Sequence, residues 1–374
     1  MRIVVLGSIV ADTIEGGDGT VVESLGGIAH SVAALAALAG DRHRIVPLCR
    51  LGADCRERVE RWAARLPGVT LAAIRHTAAA NPKVRLSYPA GGREGERSEW
   101  LTDPLPPLRA AEVAAVEGAE LALVNCIGGN DCTVAAMRRI RGACPRVYLD
   151  VHSLALGRRA SGERFYRSRK DWPAWLEAAD VVQCNLAEAA TICGVGRPQG
   201  APVAGGPSLA DERVEAAIEA LLRRRWGAGE PPADGTAAKP GEEGPADGTA
   251  AKPGEERPAD GTAAKLCEEG PAAGTSGGAP RVLLLTRAAD GATVFWRSGD
   301  GLRRLRVVAP KIRLIDPTGA GDACGAGYVA AWLAGATVPE AARAAVRSGS
   351  AACASRGVPE LEAFRAAWSA ARWR

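Results

Sequence analysis

The sequence predicts an α/β fold in which a mainly parallel sheet is covered by helices on both faces. Short apolar runs typical of buried strands alternate along the chain with longer stretches typical of helices, and this order favours a parallel sheet. The chain has 374 residues, of which 47% are hydrophobic and 24% charged. A soluble globular protein of ordinary composition and with a full core is therefore expected.

The predicted elements follow one another in a regular order. The buried strands are assigned to residues 3–6, 45–48, 121–125, 147–151, 181–184 and 282–286. The helices are assigned to residues 29–38, 54–66, 131–141, 208–226, 323–333, 341–354 and 361–373. Asp54 and Glu57 have the spacing of a capping box at the start of the second helix.

Two regions interrupt the alternation and predict a small second sheet. Three glycines and Asp18 at positions 16–19 form a hairpin turn signal before the apolar residues 20–23. Short strands are then expected at 71–75, 84–88 and 98–101 without intervening helices. We interpret the regions at about 13–25 and 70–101 as a lid over a site. The lid has exposed edges, so a homodimer that pairs these edges is left open.

Residues 228–280 are predicted to be a disordered low-complexity insertion. A unit that begins PADGTAAK at Pro232 returns after thirteen residues at Pro245 and again at Pro258. The repeats contain almost no large apolar side chains, so they cannot bury a face against a neighbour as a solenoid does. The rest of the chain, residues 1–374 without this insertion, is predicted to be a single domain.

Charge and apolar patterning exclude several classes of function. The formal net charge is only +4 and there is no basic tail, which argues against a nucleic-acid partner. No apolar stretch approaches the roughly 20 residues that span a bilayer, and the N-terminus is interpreted as a first strand rather than a signal peptide. The ten cysteines have no metal-binding spacing, so we expect reduced thiols in a cytoplasmic protein and no zinc site.

The most informative segment is DPTGAGD at residues 316–322, which directly precedes a predicted helix. Gly319 and Gly321 allow a tight turn, and the free N–H groups of the following helix turn form an anion site. A carboxylate at that place, Asp322, is suited to accept a proton from a hydroxyl that attacks a phosphoryl group. A glycine turn that merely caps a helix would not need an aspartate at both ends.

Residues 316–322 resemble the D-T-x-G-A-G-D signature of the ribokinase-like (PfkB) carbohydrate kinase family, with Pro317 displacing the threonine by one place. The resemblance implies a ribokinase-like fold with a small β-sheet lid. It also implies an ATP- and Mg²⁺-dependent kinase that phosphorylates a hydroxymethyl group of a sugar or related polyol. Asp322 would be the general base, and the amides of Gly319, Ala320 and Gly321 would form the anion hole. A monovalent cation is a further expectation from the family.

The same resemblance implies an acceptor site near the N-terminus. Gly26, Gly27 and Ser31 match the G-G-x-x-x-N-x-A element of the family, with Ser31 in place of asparagine. Asp12 follows the first strand, where the family places an aspartate that binds sugar hydroxyls, and Asn125 ends a later strand. A plain helix cap at the glycines and a turn residue at Asp12 remain as alternatives.

Nucleotide-binding residues are expected after two strands near the C-terminal half. Asn185 and Glu188 resemble the family element N-x-x-E, which orders water bound to magnesium, although a helix capping box explains them nearly as well. Thr286, Arg287 and Gly291 lie where the family has T-x-G-x-x-G. Ala288 replaces the first glycine of that element, which leaves the phosphate donor open.

Two other functions remain open. A nucleoside kinase of the same fold is one, although the predicted lid offers only Tyr88 and Trp100 for stacking on a base. A non-catalytic regulator that binds a sugar or nucleotide is the other, and it would explain the altered positions 31 and 288. Asp322 argues against a regulator, because a sensor needs no general base.

Overall fold

The computed structural model describes residues 1–89, 97–195, 211–227, 281–298 and 301–371. The predicted insertion at 228–280 lies outside these residues. The strands are β1 (Arg2–Leu6), β2 (Ile9–Glu15), β3 (Val21–Gly27), β4 (Arg44–Leu48), β5 (Arg50–Gly52), β6 (Arg75–Thr77), β7 (Lys83–Ser87), β8 (Ser98–Leu101), β9 (Leu121–Asn125), β10 (Val147–Asp150), β11 (Leu156–Arg158), β12 (Arg164–Tyr166), β13 (Val181–Asn185), β14 (Val282–Thr286), β15 (Ala292–Ser298) and β16 (Gly301–Val307). The helices are α1 (Ile28–Ala39), α2 (Arg56–Ala63), α3 (Val134–Ala143), α4 (Trp172–Glu177), α5 (Leu186–Cys193), α6 (Asp211–Gly227), α7 (Ala320–Leu333), α8 (Val338–Ala352) and α9 (Leu361–Ala370).

The central sheet has eight strands in the order β16-β15-β14-β13-β10-β9-β1-β4. The six strands from β14 to β4 pair in parallel, while β15 and β16 add an antiparallel edge. Ligands of such sheets bind beyond the carboxyl ends of the parallel strands. The predicted mainly parallel α/β sheet is confirmed.

Helices cover both faces of this sheet, and β1 shows why. Its side chains alternate between the faces: Ile3 and Val5 enter one buried apolar cluster, Val4 and Leu6 the other. The first cluster contains side chains from α1, α7 and α8, and the second contains side chains from α3, α5 and α6. Because both faces are buried, the parallel strands are continuous apolar runs.

The second sheet, which we call the lid sheet, has four strands in the order β3-β2-β7-β8. It begins at Ile9 rather than near residue 13, because β2 starts only two residues after β1 ends. The strand predicted at 71–75 is wrong. Residues 72 and 73 form a turn, and the short strand that follows, β6, pairs with β5 outside the lid sheet.

The predicted start of the second helix also differs from the structure. Residues 53–55 form a single 3₁₀ turn, and α2 begins at Arg56 without a side-chain cap. Asp54 Oδ1 instead accepts a hydrogen bond of 2.8 Å from the backbone N–H of Asn81. The predicted capping box is therefore not formed, since its aspartate is used to fix the chain that enters the lid sheet.

The apolarity of the helices and the state of the cysteines bear on the expectations from composition. Among the helices of the described residues, none is both long and apolar enough to cross a membrane. Nine cysteines lie in the described ranges; all are free thiols, and all except Cys193 are buried. Burial raises the pKa of several of these thiols, for example that of Cys144 to about 11. These thiols therefore stay protonated at neutral pH.

Candidate active site

The turn predicted from the sequence lies immediately before α7, and Gly319 is the N-cap residue of that helix. Gly319 has a φ of 78°, in the left-handed region that favours glycine. A Cβ atom there would also lie 2.1 Å from Nδ1 of His30 on α1. Both the backbone conformation and the contact with α1 therefore require a glycine at this position.

The first turn of α7 supplies the predicted anion site. The first helical hydrogen bond runs from the Ala323 N–H to the Gly319 carbonyl at 2.9 Å, so the amides of Gly321 and Asp322 precede the regular ladder. The Ala320 N–H donates to the Pro317 carbonyl at 3.2 Å and helps to close the turn. Of the three amides predicted to face a phosphoryl group, that of Ala320 is thus partly engaged.

The Asp316 carboxylate fixes the turn before α7 through two hydrogen bonds. Its Oδ1 accepts a hydrogen bond of 2.9 Å from the Thr318 N–H, and its Oδ2 accepts one of 3.1 Å from the Gly357 N–H. Both carboxylate oxygens are thus used, and the residue is only 5% exposed. The first aspartate of the motif shapes the turn, which leaves the second, Asp322, for chemistry.

Asp322 is buried at the start of α7, with 6% of its surface exposed. Its Oδ1 accepts a hydrogen bond of 2.8 Å from Asn125 Nδ2 and a longer one of 3.4 Å from Ser31 Oγ. Asn125 is the last residue of β9, and Ser31 lies in the first turn of α1. Two residues predicted to bind the acceptor therefore hold and orient the predicted base.

Asp12 on β2 lies diagonally across from Gly26 on β3, whose register partner is Val10. A Cβ on Gly26 would lie 1.8 Å from Asp12 Oδ2, so only glycine allows the two strands to keep this side chain between them. Asp12 is 5% exposed, and burial raises the pKa of its carboxyl despite the opposing effect of His30. Gly27 is the N-cap of α1 with a φ of 61°. The predicted acceptor residues thus meet at the junction of β2, β3 and α1.

The lid sheet is in contact with the turn that precedes α7 and with the segment that follows α8. The Tyr88 hydroxyl and the Thr318 hydroxyl are 2.9 Å apart, and the Val358 N–H donates to Ser24 Oγ at 3.0 Å. Arg356 also pairs with Asp18 of the β2–β3 turn at 3.0 Å. The lid sheet is therefore closed over the end of the sheet where Asp322 lies.

The structure does not bring Arg287 to the site. Its guanidinium is 4% exposed and pairs with Asp211 and Glu215 of α6, and its Nε donates to Thr293 Oγ1 at 3.1 Å. Ala288, which replaces the usual glycine, has a φ of 50° and so keeps a conformation that favours glycine. Gly291 has a φ of 88°, and a Cβ there would lie 2.0 Å from the Val307 carbonyl oxygen. Thr286 ends β14, which lies in the parallel part of the sheet.

Asn185 and Glu188 form a complete capping box at the start of α5, the alternative considered from sequence. Glu188 Oε2 accepts from the Asn185 N–H at 2.8 Å, and Oε1 accepts from Asn185 Nδ2 at 2.7 Å. Burial raises the pKa of Glu188 to about 8. In the described part of the chain, no three acidic, histidine or cysteine side chains are grouped to hold a metal ion. Magnesium binding by Glu188 through water stays a prediction.

Three polar side chains of this region were not predicted from sequence. Gln183 Nε2 donates to Asp150 Oδ2 at 2.7 Å and to the Gly321 carbonyl at 2.9 Å, which ties β13 to α7. Burial raises the pKa of Asp150, with further contributions from Glu188 and Asp322. His30 packs under Gly319 and beside Asp12. Asp150 lies at the end of β10, which was a usable signal, whereas Gln183 lies inside β13 and His30 is enclosed in an apolar helix, and neither gave one.

Comparison with known proteins shows what this chain is similar to. Residues 260–362 match the model of the pfkB family carbohydrate kinases, and this range contains the turn and the start of α7. The fold is similar to that of a pyrophosphate-dependent kinase in the ribokinase family, with a TM-score of 0.65 and 13% identity over 97% of this chain and 99% of that one.

Two further solved structures have the same fold. Arabidopsis thaliana ribokinase has a TM-score of 0.61 and 16% identity, with 98% of each chain covered. Burkholderia thailandensis nucleoside kinase has a TM-score of 0.59 and 17% identity, over 99% of this chain and 98% of that one. At these identities the structures show the fold, and the family match adds the C-terminal signature. Together they confirm the predicted resemblance.

Proposed function

We propose that this chain, a ribokinase-like phosphotransferase with a pfkB-type C-terminal region, phosphorylates a hydroxymethyl group of a sugar or related polyol with ATP. At the coarser level, a kinase that acts on a hydroxyl group of a sugar or nucleoside, the assignment rests on the family match and the fold. The choice of acceptor, donor and catalytic residues is our proposal.

The observation that carries the proposal is the position of the Asp322 carboxylate. It lies in the first turn of α7, beside amides that precede the helical hydrogen-bond ladder, and it is buried. Burial of a carboxylate costs free energy, and buried carboxylates are found disproportionately at functional sites. Acceptance of a proton from a hydroxyl that attacks a phosphoryl group is such a task.

The residues around Asp322 account for its orientation. The 2.8 Å hydrogen bond from Asn125 Nδ2 to Oδ1 fixes the carboxylate and leaves Oδ2 to accept the proton of the acceptor hydroxyl. Asp12, at the junction of β2 and β3, accepts hydrogen bonds from other hydroxyls of the acceptor. The closed lid sheet excludes water, which would otherwise compete as the phosphoryl acceptor.

The donor site fits a phosphate group better than it fits a dedicated metal cage. The first turn of α7 offers N–H groups and a helix dipole, which bind phosphate oxygens. Mg²⁺ usually keeps several waters and takes one or two carboxylates, and Glu188 is the proposed carboxylate, acting through water. Bound Mg-ATP would supply the phosphoryl group, and its Mg²⁺ would neutralise part of the phosphate charge. Thr286 and Gly291 are proposed to line the nucleotide, whereas Arg287 is held by α6.

The lid sheet favours a sugar over a nucleoside as the acceptor. The Trp100 ring is covered by the Arg85 guanidinium, which lies 4.3 Å from the ring centroid. The Tyr88 hydroxyl bonds Thr318. The Trp100 ring is thus already stacked on a cation, and the position of the Tyr88 ring is fixed by its hydroxyl. A nucleoside kinase of the same fold remains the second candidate, because a solved relative of this fold was crystallised with inosine.

The remaining partner predictions are part of this proposal. Val21 on the edge strand β3 is 63% exposed, and this edge is where a homodimer of lid sheets would pair. A cytoplasmic location and a monovalent-cation requirement are likewise predictions. Sedimentation would test the homodimer, and a potassium titration of activity would test the cation requirement.

The proposal is tested by ADP release from Mg-ATP with a panel of D-ribose, D-fructose, myo-inositol, inosine and adenosine. We expect release that depends on a sugar or polyol and is lost in Asp322→Asn. Pyrophosphate replaces ATP in a parallel series read by phosphate release, because a relative of this fold uses that donor. Turnover with nucleosides alone would identify the second candidate. Thermal stabilisation by ligands without any turnover would identify a regulator and contradict the proposal.

A further inference from the structure

His30 is a buried histidine that the proposed reaction has not used. It lies in the first turn of α1 and is 3% exposed. Its Nε2 is 3.9 Å from Asp12 Oδ2, longer than a hydrogen bond, and its Nδ1 side packs against Gly319. One imidazole thus joins the acceptor residue Asp12 to the turn at which the phosphoryl group is proposed to bind.

The polar atoms around this imidazole lack partners. Among the described residues, neither ring nitrogen of His30 has a hydrogen-bond partner, and the same is true of Asp12 Oδ1 and Asn125 Oδ1. A buried polar atom without a partner costs about 1–3 kcal/mol. Such atoms are rare unless something else satisfies them. Four of them lie at one end of the sheet, under the lid sheet, where the hydroxyl groups of a bound molecule would satisfy them.

The charges around His30 favour an imidazolium. Burial lowers the pKa of His30, but the carboxylates of Asp12, Asp322 and Asp316 outweigh it and the net direction is upward. These are the acidic groups that face the ring, from β2, from α7 and from the turn before α7. In the protonated state both nitrogens are donors. They then complement the oxygen atoms of a polyol, while Asp12 accepts its hydroxyl protons.

We propose that His30 is a specificity-determining residue of the acceptor site, which hydrogen-bonds a hydroxyl oxygen of the acceptor adjacent to the group that Asp322 deprotonates. The proposal rests on the proposed function and names a contact that the sequence motifs did not. A structural histidine would show hydrogen bonds to the surrounding protein, as Asn125 does through Nδ2. His30 instead presents Nε2 beside Asp12, the acidic residue assigned to the acceptor, and Nδ1 beside the turn that precedes α7.

The test compares His30→Ala and His30→Gln with the wild type, using whichever panel acceptor gives the greatest ADP release. Loss of a hydrogen bond to a charged donor is expected to raise the acceptor KM roughly 10- to 100-fold, with the KM for Mg-ATP unchanged. The amide of His30→Gln should recover part of the loss. His76→Ala is the matched control, because His76 is exposed on β6, and it should keep both KM values.

A second readout separates this inference from the proposed function. The acceptor alone should raise the thermal midpoint of the wild type and of His76→Ala but not that of His30→Ala. Stabilisation without ADP release would contradict the proposed function and leave the contact supported. An unchanged acceptor KM in His30→Ala, or an equal rise in both KM values, would overturn the inference. The absence of stabilisation by every acceptor would overturn both.

Discussion

Replacement of Gly319 by alanine should lower both the free energy of unfolding and the rate of turnover. The loss of stability has a conformational part and a steric part. The φ of 78° costs an alanine about 1–2 kcal/mol. The new methyl group would lie 2.1 Å from His30 Nδ1, and overpacking of this kind costs about 1–3 kcal/mol. Together the two effects predict a loss of about 2–5 kcal/mol in the free energy of unfolding.

Gly335 provides the matched control for the conformational part. It has a φ of 86°, and a Cβ there would have no atom within 4 Å. Gly335→Ala should therefore lose only about 1–2 kcal/mol and keep full turnover. Urea unfolding followed by circular dichroism measures the stabilities, and ADP release measures turnover.

A double mutant isolates the contact between the turn and α1. His30→Ala removes the ring atoms that the new methyl group would meet, so it should relieve the steric part of the Gly319→Ala defect. The coupling between the two substitutions should then be about 1–3 kcal/mol. A Gly319→Ala protein no less stable than Gly335→Ala, or a coupling of zero, would refute the reasoning.

Four further predictions follow from the same structure. Asp322→Asn should lower kcat roughly 100- to 10,000-fold while the thermal midpoint stays within a few degrees; near-normal kcat would contradict the base assignment. Ala288→Gly should stabilise the protein by about 0.5–1 kcal/mol in urea unfolding, because Ala288 has a φ of 50°; a loss of stability would argue against strain there. The pKa of His30 is raised, so its contribution to stability is complete below its unfolded pKa of about 6.5 and is lost as pH rises through the folded value. Between a pH of about 6.5 and the folded value, the unfolding free energy of the wild type should thus fall with pH more than that of His30→Gln, and parallel curves would exclude a protonated His30. Deletion of residues 228–280 should leave turnover in the ADP assay largely intact, and loss of active protein would contradict their assignment as an insertion.

Local features of the fold could be predicted from the sequence because they are encoded within a few residues. The apolar runs of β1, β9 and β14 and the glycine turn before α7 are of this kind, and each was predicted within one or two residues of its observed place. The second aspartate of the turn could be given a role because its neighbours in the chain already define an anion site.

The contacts that were not predicted from the sequence join residues far apart in the chain. Arg287 was assigned to the nucleotide because of its place after a strand, but its partners Asp211 and Glu215 lie 76 and 72 positions earlier. The carboxylate of Asp54 likewise bonds a residue 27 positions away instead of its own helix. His30 could not be found because a histidine among alanines on α1 has the pattern of a core residue. Sequence patterns do not reveal such distant partners. The hydrogen bond that replaces the expected local one forms only when folding brings the two residues together.

The two hydrogen bonds that hold Asp322 span most of the chain. Asn125 precedes Asp322 by 197 positions and Ser31 precedes it by 291. Contacts of such separation form late, because the intervening chain must be ordered first. During synthesis or refolding, the acceptor residues and the lid strands can therefore be in place while the base has no fixed orientation. If Asp322 is the base as proposed, phosphoryl transfer requires α7 to dock against α1 and β9, and an incompletely folded chain would not transfer the phosphoryl group to water.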